Sequence, residues 1–262
     1  MTLAYTRTGA GAPLVLLHPL GADRGAWRPV IPALAARFDV IAVDLPGFGD
    51  SPVPDEPTPA GLARRVADLL DELGIADPHV AGNSLGGWVA LELAAIRPVA
   101  SLALLSPAGL WRRHTPFYTR TSLRVMRWMA VHATGVLSRL VGHPVGRLLV
   151  LGQTHGRPVQ VGPEYARAAI RALSTSPGFD ATFAATLDRR YEGGASLDVP
   201  VAVAFGTRDR ILLAHQSRHL DELPPGTRIT PLPRCGHVPM ADDPPAVAGF
   251  ITESAAVAPA RS

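Results

Sequence analysis

The chain has 262 residues, 47% hydrophobic and 18% charged, with a formal net charge of +3. That length and mix suit one α/β domain with room for an insertion and exclude a disordered chain. The single cysteine, Cys235, excludes an internal disulfide framework. No stretch reaches the roughly 18 consecutive apolar residues of a membrane span, so no stable membrane insertion is expected. Met1 to Arg7 lacks a basic segment ahead of an apolar one, and the expected location is cytoplasmic. All 25 basic residues are arginine. Residues 111–171 hold ten arginines against one acid, Glu164, which makes that stretch about +9 and the remainder about −6.

In chain order, Leu3–Arg7 alternates as an edge strand does, and Leu14–Leu17 is the continuous apolar run of a strand buried on both faces. A helix is expected over Trp27–Ala36, with Pro29 and Pro32 near its start. Val40–Val43 is the next buried strand, leading into a loop punctuated by glycine and proline, Asp44 to Pro52. Ala60–Leu73 is an amphipathic helix closed by Gly74. A strand at His79–Ala81, a helix from Leu85 to Ile96 and a strand at Ser101–Leu105 follow. From Ala108 to about Ser196 the pattern is helical, interrupted by Gly142 and by prolines such as Pro144, Pro158 and Pro163. The buried-strand pattern returns at Val199–Phe205 and again at Arg228–Leu232, with helices at His215–Leu223 and Pro244–Glu253 and a frayed tail after Ala255. Alternating strands and helices predict an α/β fold: a mostly parallel central sheet with helices on both faces and an inserted helical cap. The expected division is a core of residues 1–106 and 198–262 and a cap, or lid, of residues 107–197.

The stretch Gly82-Asn83-Ser84-Leu85-Gly86 stands between a strand and a helix. A serine on so sharp a turn has a strained backbone, and glycines two residues to either side remove the collisions. The turn lifts the hydroxyl clear of the sheet and aims a helix N-terminus at the reacting group. Composition alone gives roughly 0.1 chance matches to this pattern, so its context has to decide. In open parallel sheets the site lies at the carboxyl ends of the strands. His18, Asp44, Ser84, Ser106, Gly206 and Gly236 all fall there.

An alcohol needs a base within hydrogen-bond reach, and the base needs an orienting carboxylate. His237, in Arg234-Cys235-Gly236-His237, follows the last strand. Asp209 follows the strand before it. The loop after Ser101–Leu105 has no Asp or Glu up to Arg120, so a competing acid is missing there; Asp242 is the next candidate. The order Ser84, Asp209, His237 is that of α/β-hydrolases. No metal cluster, phosphate-cradling loop or dinucleotide fingerprint is present, so no metal and no cofactor are expected. Cys235 reads as a small filler.

These pieces, with Leu16-Leu17-His18-Pro19-Leu20-Gly21 and Asp44-Leu45-Pro46-Gly47-Phe48-Gly49-Asp50-Ser51, resemble the α/β-hydrolase fold superfamily along nearly the whole chain. The resemblance implies a serine nucleophile, Ser84, and an oxyanion hole formed by the backbone N–H groups of Leu20 and Leu85. Pro19 departs from the glycine usual after the histidine, which stiffens the loop. His18 is expected to brace that loop. Only about a dozen residues precede Leu14, so a shorter sheet edge is expected. Members with an aspartate nucleophile, such as haloalkane dehalogenases and epoxide hydrolases, are disfavoured by Ser84. The expected reaction is hydrolysis of a carboxylic ester or lactone of a small molecule through an acyl-enzyme. Carbon–carbon bond hydrolysis of a ring-fission product, perhydrolysis, and a non-catalytic ligand-binding module are the alternatives. The expected partner is a small molecule, hydrophobic or anionic, and not a nucleic acid. Arg120, Arg124 and Arg127 recur at helical spacing and are expected to form a solvated face, the alternative being that they steer or bind an anionic substrate; Leu123, Met126 and Ala130 recur on another face, which is expected to cover the serine.

Overall fold

The computed structural model describes residues 2–257. Seven strands, β1 (Tyr5–Thr8), β2 (Ala12–Leu17), β3 (Phe38–Val43), β4 (His79–Asn83), β5 (Ser101–Leu105), β6 (Val201–Gly206) and β7 (Arg228–Leu232), form one sheet. Its order is β1-β3-β2-β4-β5-β6-β7. β1 runs antiparallel to β3, and the other pairings are parallel. The period-two alternation of the strands divides the core in two. Val15, Leu17, Ile41 and Val43 point to one face, where they meet Leu62 and Val66 of α2 (Pro59–Glu72) and Trp88 of α3 (Leu85–Ile96). Leu14, Leu16, Val40 and Ala42 point to the other, against Leu34 of α1 (Ile31–Ala35) and Phe250 and Ile251 of α9 (Pro244–Ala256). Ala81, Ala103, Ala202 and Ala204 of the central strands also face this side, and their small side chains let α9 sit close to the sheet.

Between β5 and β6 the chain leaves the sheet for four helices: α4 (Phe117–Leu140), α5 (Pro144–Leu151), α6 (Pro163–Thr175) and α7 (Phe179–Thr186). Proline near the start of α5 and of α6 marks a position where the missing N–H costs nothing. Val141, Leu151, Val161, Ala166 and Ile170 form a separate small core within this segment.

Three expectations are corrected. Trp27–Ala36 is not one helix: a 3-10 turn at Arg24–Trp27, capped by Asp23, is followed by the five-residue α1. Pro29 and Pro32 lack the N–H groups that a continuous helix would use. The helix expected over His215–Leu223 is only α8 (Ala214–Ser217), because the His219 N–H donates across the chain to the Leu110 carbonyl (3.0 Å) and the Arg218 guanidinium lies over the Phe205 ring. β7 is mostly exposed, as an edge strand, and not a buried one. The last helix runs on to Ala256, and the tail from residue 258 lies outside the described residues.

The loop after β3 is built around one carboxylate. Asp44 is fully buried and accepts hydrogen bonds from the Arg24 N–H (2.6 Å), the Asp50 N–H (3.0 Å) and the Arg24 guanidinium. Gly49 has φ of 53°, and a Cβ there would strike this carboxylate. Removing one partner of a buried pair strands the other. Asp44→Ala should therefore lower the unfolding free energy by about 3 kcal/mol, measured by urea denaturation.

Candidate active site

β4 ends at Asn83 and α3 begins at Leu85, so the whole turn is made at Ser84, with φ of 54° and ψ of −114°. For a non-glycine residue such a conformation costs of the order of 1–3 kcal/mol and persists only when its surroundings enforce it. The surroundings are visible. The Ser84 carbonyl accepts from the N–H groups of Gly87 (3.0 Å), Trp88 (3.1 Å) and Ala108 (2.9 Å), and its own N–H donates to Leu105 (3.0 Å). A Cβ at position 82 would strike the Gly86 carbonyl, and one at position 86 would strike the Leu17 carbonyl at the end of β2. Glycine is required at both places by this close approach.

His237 lies in the loop after β7. Its Nδ1–H donates to Asp209 Oδ2 at 2.9 Å, which leaves Nε2 with the lone pair. The other carboxylate oxygen of Asp209 accepts from the N–H groups of Ile211 and Leu212, both at 2.9 Å. Burial pushes the Asp209 carboxyl up, but the charge of His237, its hydrogen bond and the two backbone N–H groups together hold it below the usual carboxylate range. Asn83 ties the histidine to the serine turn: its side-chain amide donates to the His237 carbonyl (3.0 Å) and to the Leu105 carbonyl (2.8 Å).

Asp242 has a different task. One of its oxygens accepts from both Gly156 and Gly236 N–H (2.7 Å each), and the other accepts from Arg157 N–H (2.8 Å). It clamps the connection between α5 and α6 to the histidine loop. The Cys235 thiol is buried beside it and pushed up to about 12, chiefly by burial, so it stays protonated.

Ser84, His237, Leu20 and Leu85 line one cavity of about 430 Å³. Leu85 opens α3, where an N–H has no partner within the helix. Leu20 follows Pro19, whose carbonyl accepts from Ala22 N–H (3.1 Å) and from the His18 Nδ1–H (2.8 Å). His18 Nε2 accepts the Leu45 N–H at 2.9 Å, so the imidazole is neutral and braces two loops. Burial holds its pKa below the ordinary value. Leu123, Met126 and Ala130 of α4 complete the roof of the cavity.

No arginine lines the cavity among the described residues. Several arginines of the middle segment instead bind backbone carbonyls, most of them at helix ends, where those groups lack partners. Arg127 donates to Leu173 and Ser176, Arg147 to Val141 and Val159, and Arg167 to Ser138. The row Arg120, Arg124, Arg127 is thus not one solvated face. Sequence reasoning passed over Asn83, although it lies inside the serine pentapeptide. It also passed over His155 and Tyr165, which pack edge to face on the cavity wall. No spacing in the sequence marks the pair, since His155 arrives only when the α5–α6 connection folds and then meets Tyr165 of α6.

A strained serine at a strand-to-helix turn and a histidine held by a carboxylate, lining one cavity at the carboxyl end of a parallel sheet, define a class. The chain belongs to the alpha/beta hydrolase family, which residues 14–250 match. It is 31% identical over 261 residues to the pimeloyl-[acyl-carrier protein] methyl ester esterase of Aeromonas hydrophila, covering 93% of this chain and 95% of that protein. It is 32% identical over 200 residues to the epoxide hydrolase EphH of Mycobacterium tuberculosis, covering 74% and 92%. Among solved structures, a thermophilic esterase from Thermogutta terrifontis shares the fold with a TM-score of 0.77 at 24% identity, covering 96% of this chain and 92% of the other. Family and relatives support hydrolase chemistry. No helix among the described residues is long and apolar enough to cross a membrane.

The lowered Asp209 pKa has a consequence for stability. A carboxylate held below its unfolded value stabilises the fold fully above that value, about 4, and the contribution is lost as pH falls through the folded pKa. The unfolding free energy should therefore fall as the solution is acidified below about pH 4. In Asp209→Asn that part of the slope should be absent, which urea titrations across the acid range will show.

Proposed function

We propose that the chain hydrolyses a carboxylic ester or lactone of a small, largely apolar molecule through an acyl-enzyme on Ser84. The observation that carries this reading is the sharing of one apolar cavity by Ser84 and the Asp209-bound His237. In this mechanism Ser84 Oγ attacks the carbonyl carbon while His237 Nε2 takes its proton, and Asp209 stabilises the imidazolium. The backbone N–H groups of Leu20 and Leu85 receive the oxyanion. Collapse expels the alcohol, which takes the proton from His237. Water, deprotonated by the same nitrogen, then releases the acid and restores the serine. Residues 107–197 act as the lid over a core of residues 1–106 and 198–262.

The cavity wall argues for the substrate class. Its roof is leucine, methionine and alanine, and arginine is missing from it, so the acyl group is apolar and a free carboxylate is not selected. The epoxide hydrolase relative does not redirect the reading, because position 84 holds serine and not the aspartate of that chemistry.

Ser84→Ala should abolish turnover with the fold intact, and a fluorophosphonate should label Ser84, as mapped by mass spectrometry. Label at another residue of an active preparation would refute the mechanism. Asp209→Asn should lower kcat by about 10⁴ while the protein still unfolds in one cooperative transition. Leu85→Met, which keeps the backbone donor, should retain most of kcat. Along a series of p-nitrophenyl esters kcat/KM should rise with acyl length. A neutral ester and its carboxylate-bearing analogue should give parallel salt curves.

A further inference from the structure

The outer side of α4 and α5 is apolar in a way the cavity does not explain. Of the seventeen strongly exposed large apolar side chains among the described residues, eleven lie on these two helices. Phe117 is 81% exposed, Leu149 73%, Val145 69% and Trp128 62%. A solvated helix turns such side chains inward; here Leu123, Met126 and Ala130 already fill the inward face. Met129, Leu140 and Leu149 are exposed and also line the cavity, so the outer face runs on into the cavity mouth. Contiguous apolar surface of this kind marks an interaction site.

The charge of the segment says what covers it. Arg124 is exposed on the same helix face as Phe117, Trp128 and Val131, at spacings of three, four or seven residues, with its guanidinium near the Phe183 ring, and Arg139 is exposed beyond the interruption at Ala133. Arg112 and Arg113 are exposed just ahead of α4. Residues 111–171 carry about +9 and the rest of the chain about −6. Two copies meeting through this face would oppose like charges across the contact. An anionic lipid surface offers headgroups to the arginines and acyl chains to the aromatic and aliphatic residues. It also repels the acidic remainder of the molecule, which turns the cavity mouth towards the lipid.

We propose that the outer face of α4 and α5, centred on Trp128 and flanked by Arg124 and Arg139, docks this protein peripherally on anionic lipid surfaces and takes its apolar substrate from there. The uptake of substrate rests on the hydrolytic reading, whereas docking needs no chemistry at Ser84 and is measured by binding alone.

The test uses the full chain with vesicles of phosphatidylcholine alone or mixed with phosphatidylglycerol. Trp27, Trp88 and Trp111 are buried, so a shift of tryptophan emission on binding reports Trp128. The expected result is a blue shift and co-flotation with the anionic vesicles, reversed by salt and weak with the neutral ones. Arg124→Gln combined with Arg139→Gln should weaken binding about thirtyfold. Trp128→Ser should weaken it as well, and both variants should keep full activity on a short soluble ester, which also reports that they fold. Ser84→Ala should bind like the parent. Absence of binding to the anionic vesicles, or equal binding to both kinds whatever the salt, overturns the proposal. So does a stable dimer in sedimentation that Trp128→Ser splits, because the face then belongs to a second copy.

Discussion

The close approach of α3 to the end of β2 is the constraint on which the site depends. Gly86 lies against the Leu17 carbonyl with no room for a Cβ, and Gly82 lies likewise against Gly86. That contact fixes the start of α3 relative to the His18–Leu20 loop, and so fixes the two proposed oxyanion donors relative to each other. It also imposes the left-handed backbone at Ser84, whose strain is offset by the hydrogen bonds to its carbonyl and by a helix buried from Leu85 to Leu91. Preorganisation of this kind needs no side chain of special chemistry at positions 20 and 85, only rigid backbone.

Three buried aspartates build the loops around that turn, each by gathering N–H groups that would otherwise have no partner. Asp44 shapes the loop after β3, Asp209 the loop after β6, and Asp242 joins the α5–α6 connection to the loop after β7. Only Asp209 also touches the histidine. The same residue type therefore holds a histidine in one loop and only backbone or arginine donors in the other two, and the difference lies in which donors converge on it.

Much of this was legible in the sequence. Buried strands announce themselves as apolar runs, and the helix Leu85–Ile96 and the strands Ser101–Leu105 and Arg228–Leu232 lie where the pattern put them. The failures share a cause. At Trp27–Ala36 two prolines outweighed an apolar periodicity, and at His215–Leu223 a hydrogen bond to Leu110 and the stacking of Arg218 on Phe205 diverted a good helix former. The arginine row was misread because spacing shows which residues share a face but not which carbonyls lie opposite. Residues such as His155 were out of reach because they come from a connection with no period of its own.

The clamp at Asp242 makes the two walls of the cavity mechanically unequal. The stretch around Gly156 cannot swing outward without dragging the histidine loop with it, since one carboxylate grips both. α4, whose Tyr118 and Thr119 hydroxyls donate to the Arg210 and Ile211 carbonyls, is interrupted by a non-helical backbone at Ala133. Opening the chamber by a movement of the Gly156 stretch therefore displaces His237 as well, and passage of a ligand that leaves the histidine in place has to use another part of the wall.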